Sequence, residues 1–433
     1  MRRVFVQSFG CRASQADGAS IEASLEDAGW LPVRDASQAD LVILNTCTVT
    51  SAADVDARRI VRNTHRDFPN AEVLVTGCYA QRAPHELANI DGVRWVVGNS
   101  HKTQIADIVS PSNERYHGQI QIADISAITD FAVSPVRDIR EDRTRPNLKI
   151  QDGCGNRCAF CIIPSVRGRS RSAPLDAVLS QINDLASRYV EVVLSGINLG
   201  RWGRDLPGGL RFVDLLRSAL LETEVQRLRI SSVEPMDWSA DLLQLFADEP
   251  RLARHIHMPL QSGSDAVLKR MFRKYRTRHY ESRVRLAHQL MPDAAIGADV
   301  ITGFPGETSV EFEETCRFIE NQPFTYLHVF TYSERPGTAA SSYPGAVPAQ
   351  VRHERTNRLR ELSARKNLDF RRSMLNKTLP AVTLEQPGMA LTTNFLKVEL
   401  AHPRQSNQAV MLNIGRVTAT ALREQEILPC FSV

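Results

Sequence analysis

The sequence predicts an α/β protein in three parts: an N-terminal parallel α/β domain, a central partial (β/α)6 barrel, and a small C-terminal all-β barrel. Three observations lead there. Residues 1–110 alternate continuous apolar runs, such as DLVILNT (40–46) and AEVLVTG (71–77), with amphipathic helical periods. Parallel strands covered on both faces read this way. From Leu148 the alternation resumes with a longer stride, and residues 373–433 carry only short alternating strands.

In the N-terminal part, strands are expected at 4–8, 40–46, 71–77 and 93–98, and helices at 19–29 and 53–68. Residues 111–146 lose the rhythm. They include a charged, proline-bearing stretch that reads as an inter-domain linker. The central part, 147–372, offers strands at 148–152, 191–197, 227–232, 255–259, 297–303 and 326–332, with helices such as 175–188 between them. Six such units suggest an open barrel, whose active site lies at the C-terminal strand ends. A strongly basic helix over 351–374 closes this part. The C-terminal part has strands at 379–384, 389–393, 395–400 and 409–412.

Composition narrows the function classes. The chain has 433 residues, ordinary apolar and charged fractions and a formal net charge of +4, so a nucleic-acid surface must be a local patch. No apolar run is long enough to span a bilayer, and the N-terminus lacks a secretory segment. A cytoplasmic, reducing location is expected, with no membrane partner. Eight cysteines in such a chain point to metal ligation or catalysis, not to disulfides.

Cys154, Cys158 and Cys161 form C-x3-C-x2-C in the loop after the strand at 148–152. A [4Fe–4S] cluster held by protein alone takes four thiolates, so three leave one iron open to an exogenous ligand. Zinc is the alternative, although nothing nearby completes a tetrahedron. Cys11, Cys47 and Cys78 are far apart in sequence, yet each follows a predicted strand of the first sheet. In a parallel sheet the strand ends share one edge, so the three converge and favour a second metal cluster. The alternative is three buried structural cysteines. Cys316 and Cys430 fit neither set and are taken as structural.

The run Gly153-Cys154-Gly155-Asn156-Arg157-Cys158-Ala159-Phe160-Cys161 resembles the cluster loop of radical S-adenosylmethionine (SAM) enzymes, specifically the methylthiotransferases. Asn45-Thr46-Cys47-Thr48-Val49-Thr50, Thr76-Gly77-Cys78-Tyr79-Ala80-Gln81, His257-Met258-Pro259-Leu260-Gln261-Ser262-Gly263 and Gly303-Phe304-Pro305-Gly306-Glu307 extend the resemblance over essentially the whole chain. It implies an N-terminal cluster domain, a radical SAM partial barrel and a TRAM-like RNA-binding module. It also implies two [4Fe–4S] clusters, SAM, an external electron donor, a sulfur source, and the anticodon loop of tRNA as partner.

Cys47-Thr48-Val49-Thr50 with Asp54 beyond resembles the MtaB-like branch, which modifies N6-threonylcarbamoyladenosine at tRNA position 37. Sister activities on isopentenyladenosine or a ribosomal protein stay open, as does a non-enzymatic iron–sulfur protein that binds RNA. Gly196, Glu234 and Gln261 lie just after strands, where SAM would bind. Three basic groups could meet phosphate: Arg167, Arg169 and Arg171; Lys269, Arg270, Arg273, Lys274 and Arg276; and the helix around Arg352 to Arg372. The chain departs from the family in having Ser14 where asparagine is usual, and Pro164-Ser165-Val166 in place of Pro-Tyr-Ala.

Overall fold

A computed structural model describes residues 2–110, 119–133 and 144–426. Cys430 and parts of the predicted linker lie outside these. The first sheet is wholly parallel and contains β1 (Arg3–Ser8), β2 (Leu31–Pro32), β3 (Leu41–Thr46), β4 (Glu72–Gly77), β5 (Val93–Gly98) and β6 (Ile120–Gln121), in the order β2-β1-β3-β4-β5-β6. Every side chain of β3 is buried, which is why it reads as one apolar run. Val42 and Leu44 join the core on one face, Leu41 and Ile43 the core on the other.

Two expectations change here. The first helix runs Arg12–Asp27, starting seven residues before the predicted 19. Gly18 lies inside it because the helix crosses β1 so closely that a Cβ would stand 1.9 Å from Ser8 Oγ. The second change concerns the linker. Its described portion supplies β6 to the first sheet and a short turn, Ile125–Ala127.

The half-barrel follows with β7 (Asn147–Asp152), a two-residue antiparallel β8 (Arg171–Ser172), β9 (Glu191–Gly196), β10 (Arg227–Ile230), β11 (His255–His257), β12 (Ala295–Thr302) and β13 (Tyr326–Thr331). β7, β9 and β10 form one parallel set, and β11 to β13 a second. The Leu228–Leu252 bridge and the Val233 N–H donated to the His257 carbonyl at 3.1 Å join the two sets. The six expected parallel strands therefore occur in their expected order.

Alternate residues of these strands do different work. Leu148, Ile150, Leu194, Ile230, Ile296 and Val329 face the helices and share one core. The opposite register is polar, with Glu191, Arg229, His255, His257, Asp299 and His328 turned inward. A barrel interior of charged groups is a ligand chamber, unlike the apolar filling of a closed barrel.

The C-terminal barrel closes in the order β14-β15-β16-β18-β17, from β14 (Thr378–Thr383), β15 (Met389–Thr392), β16 (Lys397–Glu399), β17 (Ala409–Val417) and β18 (Leu422–Glu424). β18 lies beyond the four strands expected. The hairpin between β15 and β16 seats against the N-terminal ends of the half-barrel strands. Arg229 donates to the carbonyls of Thr392 at 3.0 Å and Thr393 at 3.1 Å, and Phe395 stacks on His255 with ring centroids 4.2 Å apart.

Candidate functional site

The three cysteines of the first sheet sit where its strands end. Cys11 begins the helix after β1, Cys47 follows β3, and Cys78 starts a short helix directly after β4. Their nearness is physical: a Cβ on Gly10 would meet Cys47 Sγ at 3.0 Å, and each thiol acts electrostatically on the others. Burial pushes the Cys47 thiol up to about 11 and raises that of Cys78 as well. Asn99 turns its Nδ2 toward Cys78 Sγ at 3.6 Å.

The second trio follows β7. Gly153 makes the turn into it at φ +71°, where a Cβ would stand 1.9 Å from the Arg169 carbonyl oxygen, so only glycine fits. Cys161 N–H bonds to the Cys158 carbonyl, bending the loop back on itself. Donors converge on the sulfurs: the Asn156 backbone N–H at 3.4 Å and Asn198 Nδ2 at 3.5 Å on Cys154, and Arg273 Nη1 at 3.0 Å on Cys158. Burial raises Cys154 and pushes Cys161 up to about 12. Thiols so desolvated ionise when a metal displaces their protons.

Both trios have the chemistry of iron–sulfur ligands, three thiols each with polar donors on the sulfurs. Tetrahedral zinc would hold thiolates roughly 3.8 Å apart. Among the described residues, only His257, Asp299 and His328 bring three ligand atoms within 4.8 Å of one another. Each thiol trio is spaced more widely, as suits a multi-iron cluster. The two loops also touch. Cys78 packs with Ile162 and Val166, just past Cys161, and Asn99 Nδ2 donates to the Val166 carbonyl at 2.8 Å.

A buried ion network pins this junction. Arg167, 1% exposed, bonds Asp17 at 3.0 Å and Asp152 at 2.9 Å, and Lys102 reaches the same two carboxylates at 3.0 Å. Asp17 and Lys102 come from the first sheet's part, Asp152 and Arg167 from the half-barrel. This corrects the expectation that Arg167 and Arg171 meet RNA phosphate, for both are buried, while Arg169 is exposed. A second latch holds the Cys47 loop. Asp54 accepts from Thr48 at 2.6 Å and Arg82 at 3.0 Å, and Arg335 of the half-barrel donates to Thr48 at 2.8 Å.

The second basic group divides similarly. Arg273 is buried and paired with Glu234, and Arg270 grips Glu311 at 2.8 Å, whereas Lys269 and Lys274 are exposed. The basic helix, Ala349–Arg372, is largely neutralised. Arg355 pairs with Glu307, Arg358 with Glu313 and Arg365 with Glu320, and Arg371 donates to the Thr418 carbonyl. Sequence alone hides such pairings, because the partners lie many residues away.

The other expected positions do reach the strand ends. Glu234 lies beside Cys158 through Arg273. Gln261 sits at φ +67°, fixed by backbone bonds to Asp299 and Ile301 of β12, a left-handed geometry that non-glycine residues adopt under constraint. Gly196 owes its lack of a Cβ to Gln151, which would stand 2.9 Å away. Cys316 is buried in the half-barrel core as a structural residue. Asn198, Asp17 and Arg335 escaped the sequence reading, and Arg273, expected among the phosphate-binding residues, serves the cluster loop instead. Only Asn198 carried a signal, as a polar residue just past a strand end.

Two family models match the chain: "Uncharacterized protein family UPF0004" over residues 3–98 and "Radical SAM superfamily" over residues 148–319. The threonylcarbamoyladenosine tRNA methylthiotransferase MtaB of Aquifex aeolicus is 35% identical over 402 residues, covering 92% of this chain and 96% of its own. The tRNA-2-methylthio-N(6)-dimethylallyladenosine synthase of Syntrophobacter fumaroxidans is 35% identical over 395 residues, covering 90% and 86%. Among solved structures, the radical SAM methyltransferase TsrM of Kitasatospora setae shares the fold, with a TM-score of 0.62 at 15% identity over 79% of this chain and 75% of its own. Among the described residues, no helix is long and apolar enough to cross a membrane.

Proposed function

This chain belongs to the radical SAM methylthiotransferase family, enzymes that modify tRNA with a [4Fe–4S] cluster and SAM, and from that membership we propose that its substrate is N6-threonylcarbamoyladenosine at tRNA position 37, converted to the 2-methylthio nucleoside. One observation carries the choice of nucleoside. The half-barrel chamber sets four guanidiniums, those of Arg12, Arg145, Arg227 and Arg229, around one buried carboxylate, Glu191. The threonylcarbamoyl group bears a carboxylate and a hydroxyl, whereas an isopentenyl group is pure hydrocarbon. Burying hydrocarbon there would leave the excess charge unanswered.

The parts divide as follows. Cys154, Cys158 and Cys161 would hold the radical SAM cluster, and Cys11, Cys47 and Cys78 a second [4Fe–4S] cluster that would supply sulfur chemistry, with a cellular sulfur source and an external electron donor as partners. Carbon 2 of adenine bears a hydrogen no side-chain base removes, and the bound cofactors supply the one-electron chemistry that does. The chain's own residues do the rest. Asn156, Asn198 and Arg273 donate toward the thiolates, tuning them. Glu234 and Gln261, at strand ends, meet SAM. The network of Asp17, Asp152, Lys102 and Arg167 keeps both cysteine loops facing one chamber. The C-terminal barrel and the exposed Arg169, Lys269 and Lys274 engage the anticodon arm. Such an enzyme works in the cytoplasm.

Mass spectrometry of tRNA nucleosides tests this. Deleting the gene removes 2-methylthio-N6-threonylcarbamoyladenosine, and wild type restores it while Cys154→Ala does not. A change confined to the isopentenyl nucleoside, or none, overturns the assignment.

A further inference from the structure

Arg12 stands out among the charged groups of the chamber. It follows Cys11 and opens the helix Arg12–Asp27, and its carbonyl accepts from Asn147 Nδ2 at 2.7 Å, at the start of β7. That bond fixes its backbone at the open side of the half-barrel. Its side chain lies within the electrostatic reach of Arg145, Arg229, Glu191 and Tyr326.

The neighbouring cations have partners. Arg229 forks onto Glu191 at 2.7 and 2.9 Å, and Arg145 and Arg227 approach the same carboxylate at 3.4 and 3.7 Å. Arg12 has no hydrogen bond or ion pair to its guanidinium among the described residues. It lines a cavity of about 410 Å³ with Arg145, Thr144, Asn147 and Gln386. The one carboxylate in that lining, Glu385, is exposed. A half-buried guanidinium facing a cavity with no partner among the described residues, near a carboxylate already shared by three arginines, is an unfilled anion site.

We propose that Arg12, supported by Arg145, binds the carboxylate of the threonylcarbamoyl substituent and so selects this nucleoside over one with a hydrocarbon substituent. The inference rests on the substrate reading above and names its specificity determinant. Arg12 is adjacent in sequence to a cysteine of the first trio, so the residue that recognises the substituent and the group that delivers sulfur move as one. A planar guanidinium suits a carboxylate bidentately, and lysine would replace it only in part.

The test uses the reconstituted enzyme and anticodon stem-loops carrying N6-threonylcarbamoyladenosine, its methyl ester, or isopentenyladenosine. Equilibrium binding is measured without reductant, and conversion by single turnover. Charge-assisted bonds of this kind set the expected scale. Wild type should bind the acid roughly 10- to 100-fold tighter than the ester. Arg12→Gln should abolish that preference and Arg12→Lys keep part of it, with iron content unchanged. An acid preference that survives Arg12→Gln overturns the inference, as does a wild type that treats acid and ester alike while converting both. A wild type that converts only the isopentenyl substrate overturns the substrate reading itself.

Discussion

Replacing Glu191 with glutamine isolates the electrostatics of the chamber floor. Glu191 is 0% exposed, accepts both bonds from Arg229, and is the buried counter-charge to Arg145 and Arg227 as well. Breaking a buried pair by removing one partner costs about 3–5 kcal/mol. Glutamine keeps one acceptor for Arg229, so the lower end applies: about 3 kcal/mol, or roughly a hundredfold in the unfolding equilibrium. Urea titration followed by tryptophan fluorescence reads this directly, because Trp202 and Trp238 are fully buried in the half-barrel core. The pH dependence adds a second check. Burial disfavours the Glu191 charge, but the arginines outweigh it, and its pKa is lowered. A carboxylate depressed in the folded state contributes stability above its unfolded value, about 4.3, and loses it as pH falls further. The gap between wild type and Glu191→Gln should therefore be full at pH 7 and narrow below about pH 4.3. A loss under about 0.5 kcal/mol at pH 7, the scatter of ordinary surface changes, or a gap that widens in acid, refutes the reasoning.

Other perturbations separate the parts. Cys154→Ala and Cys11→Ala should each lower the iron and sulfide content of anaerobically reconstituted protein by about half, one cluster of two; full content in either variant argues against that trio as ligands. Gly153→Ala forces a Cβ toward the Arg169 carbonyl at a positive φ, and should cost upward of about 1 kcal/mol and loosen the first of these clusters, seen as faster loss of visible absorbance to a chelator. Asp17→Asn removes a carboxylate held by Lys102 and Arg167; about 3 kcal/mol of destabilisation is expected, read by thermal unfolding, and a melting temperature equal to wild type would contradict the network's role. Arg335→Met cuts the bond to Thr48, so hydrogen exchange around Cys47 should quicken while the half-barrel core stays protected.

What was legible in the sequence depended on locality. β3 and β4 announced themselves because parallel strands buried on both faces need continuous apolar residues, and their following cysteines came with them. The six half-barrel strands were legible instead from their alternation with helical periods, since only one face of each joins the apolar core. The start of the first helix was missed because Gly18 lowers helix propensity, while the packing that overrides it, a close approach to Ser8, is tertiary. β6 and β18, two and three residues long, carry too little pattern to detect. Charged side chains were hardest. Arg167 and Arg169 are two residues apart in one basic run, yet one is buried between two carboxylates and the other is exposed. Only the fold distinguishes them. Thr48 and Asp54 were noted as a branch marker, and their bonds to Arg82 and Arg335 give that marker a mechanical meaning.

The hairpin from Thr392 to Leu396 that seats under the half-barrel has a consequence for biosynthesis. The chamber's floor leaves the ribosome after every strand of the half-barrel. Until then Arg229 and His255 stand uncovered at the floor of the half-barrel. Domains generally fold in order of emergence, so the nascent half-barrel must tolerate these exposed charges, which water solvates well. The hairpin then acts as a stopper on the half-barrel. It also sets the depth of the chamber independently of the strands, so a lengthened or shortened hairpin could refit the chamber to a different base substituent without touching the cysteine loops.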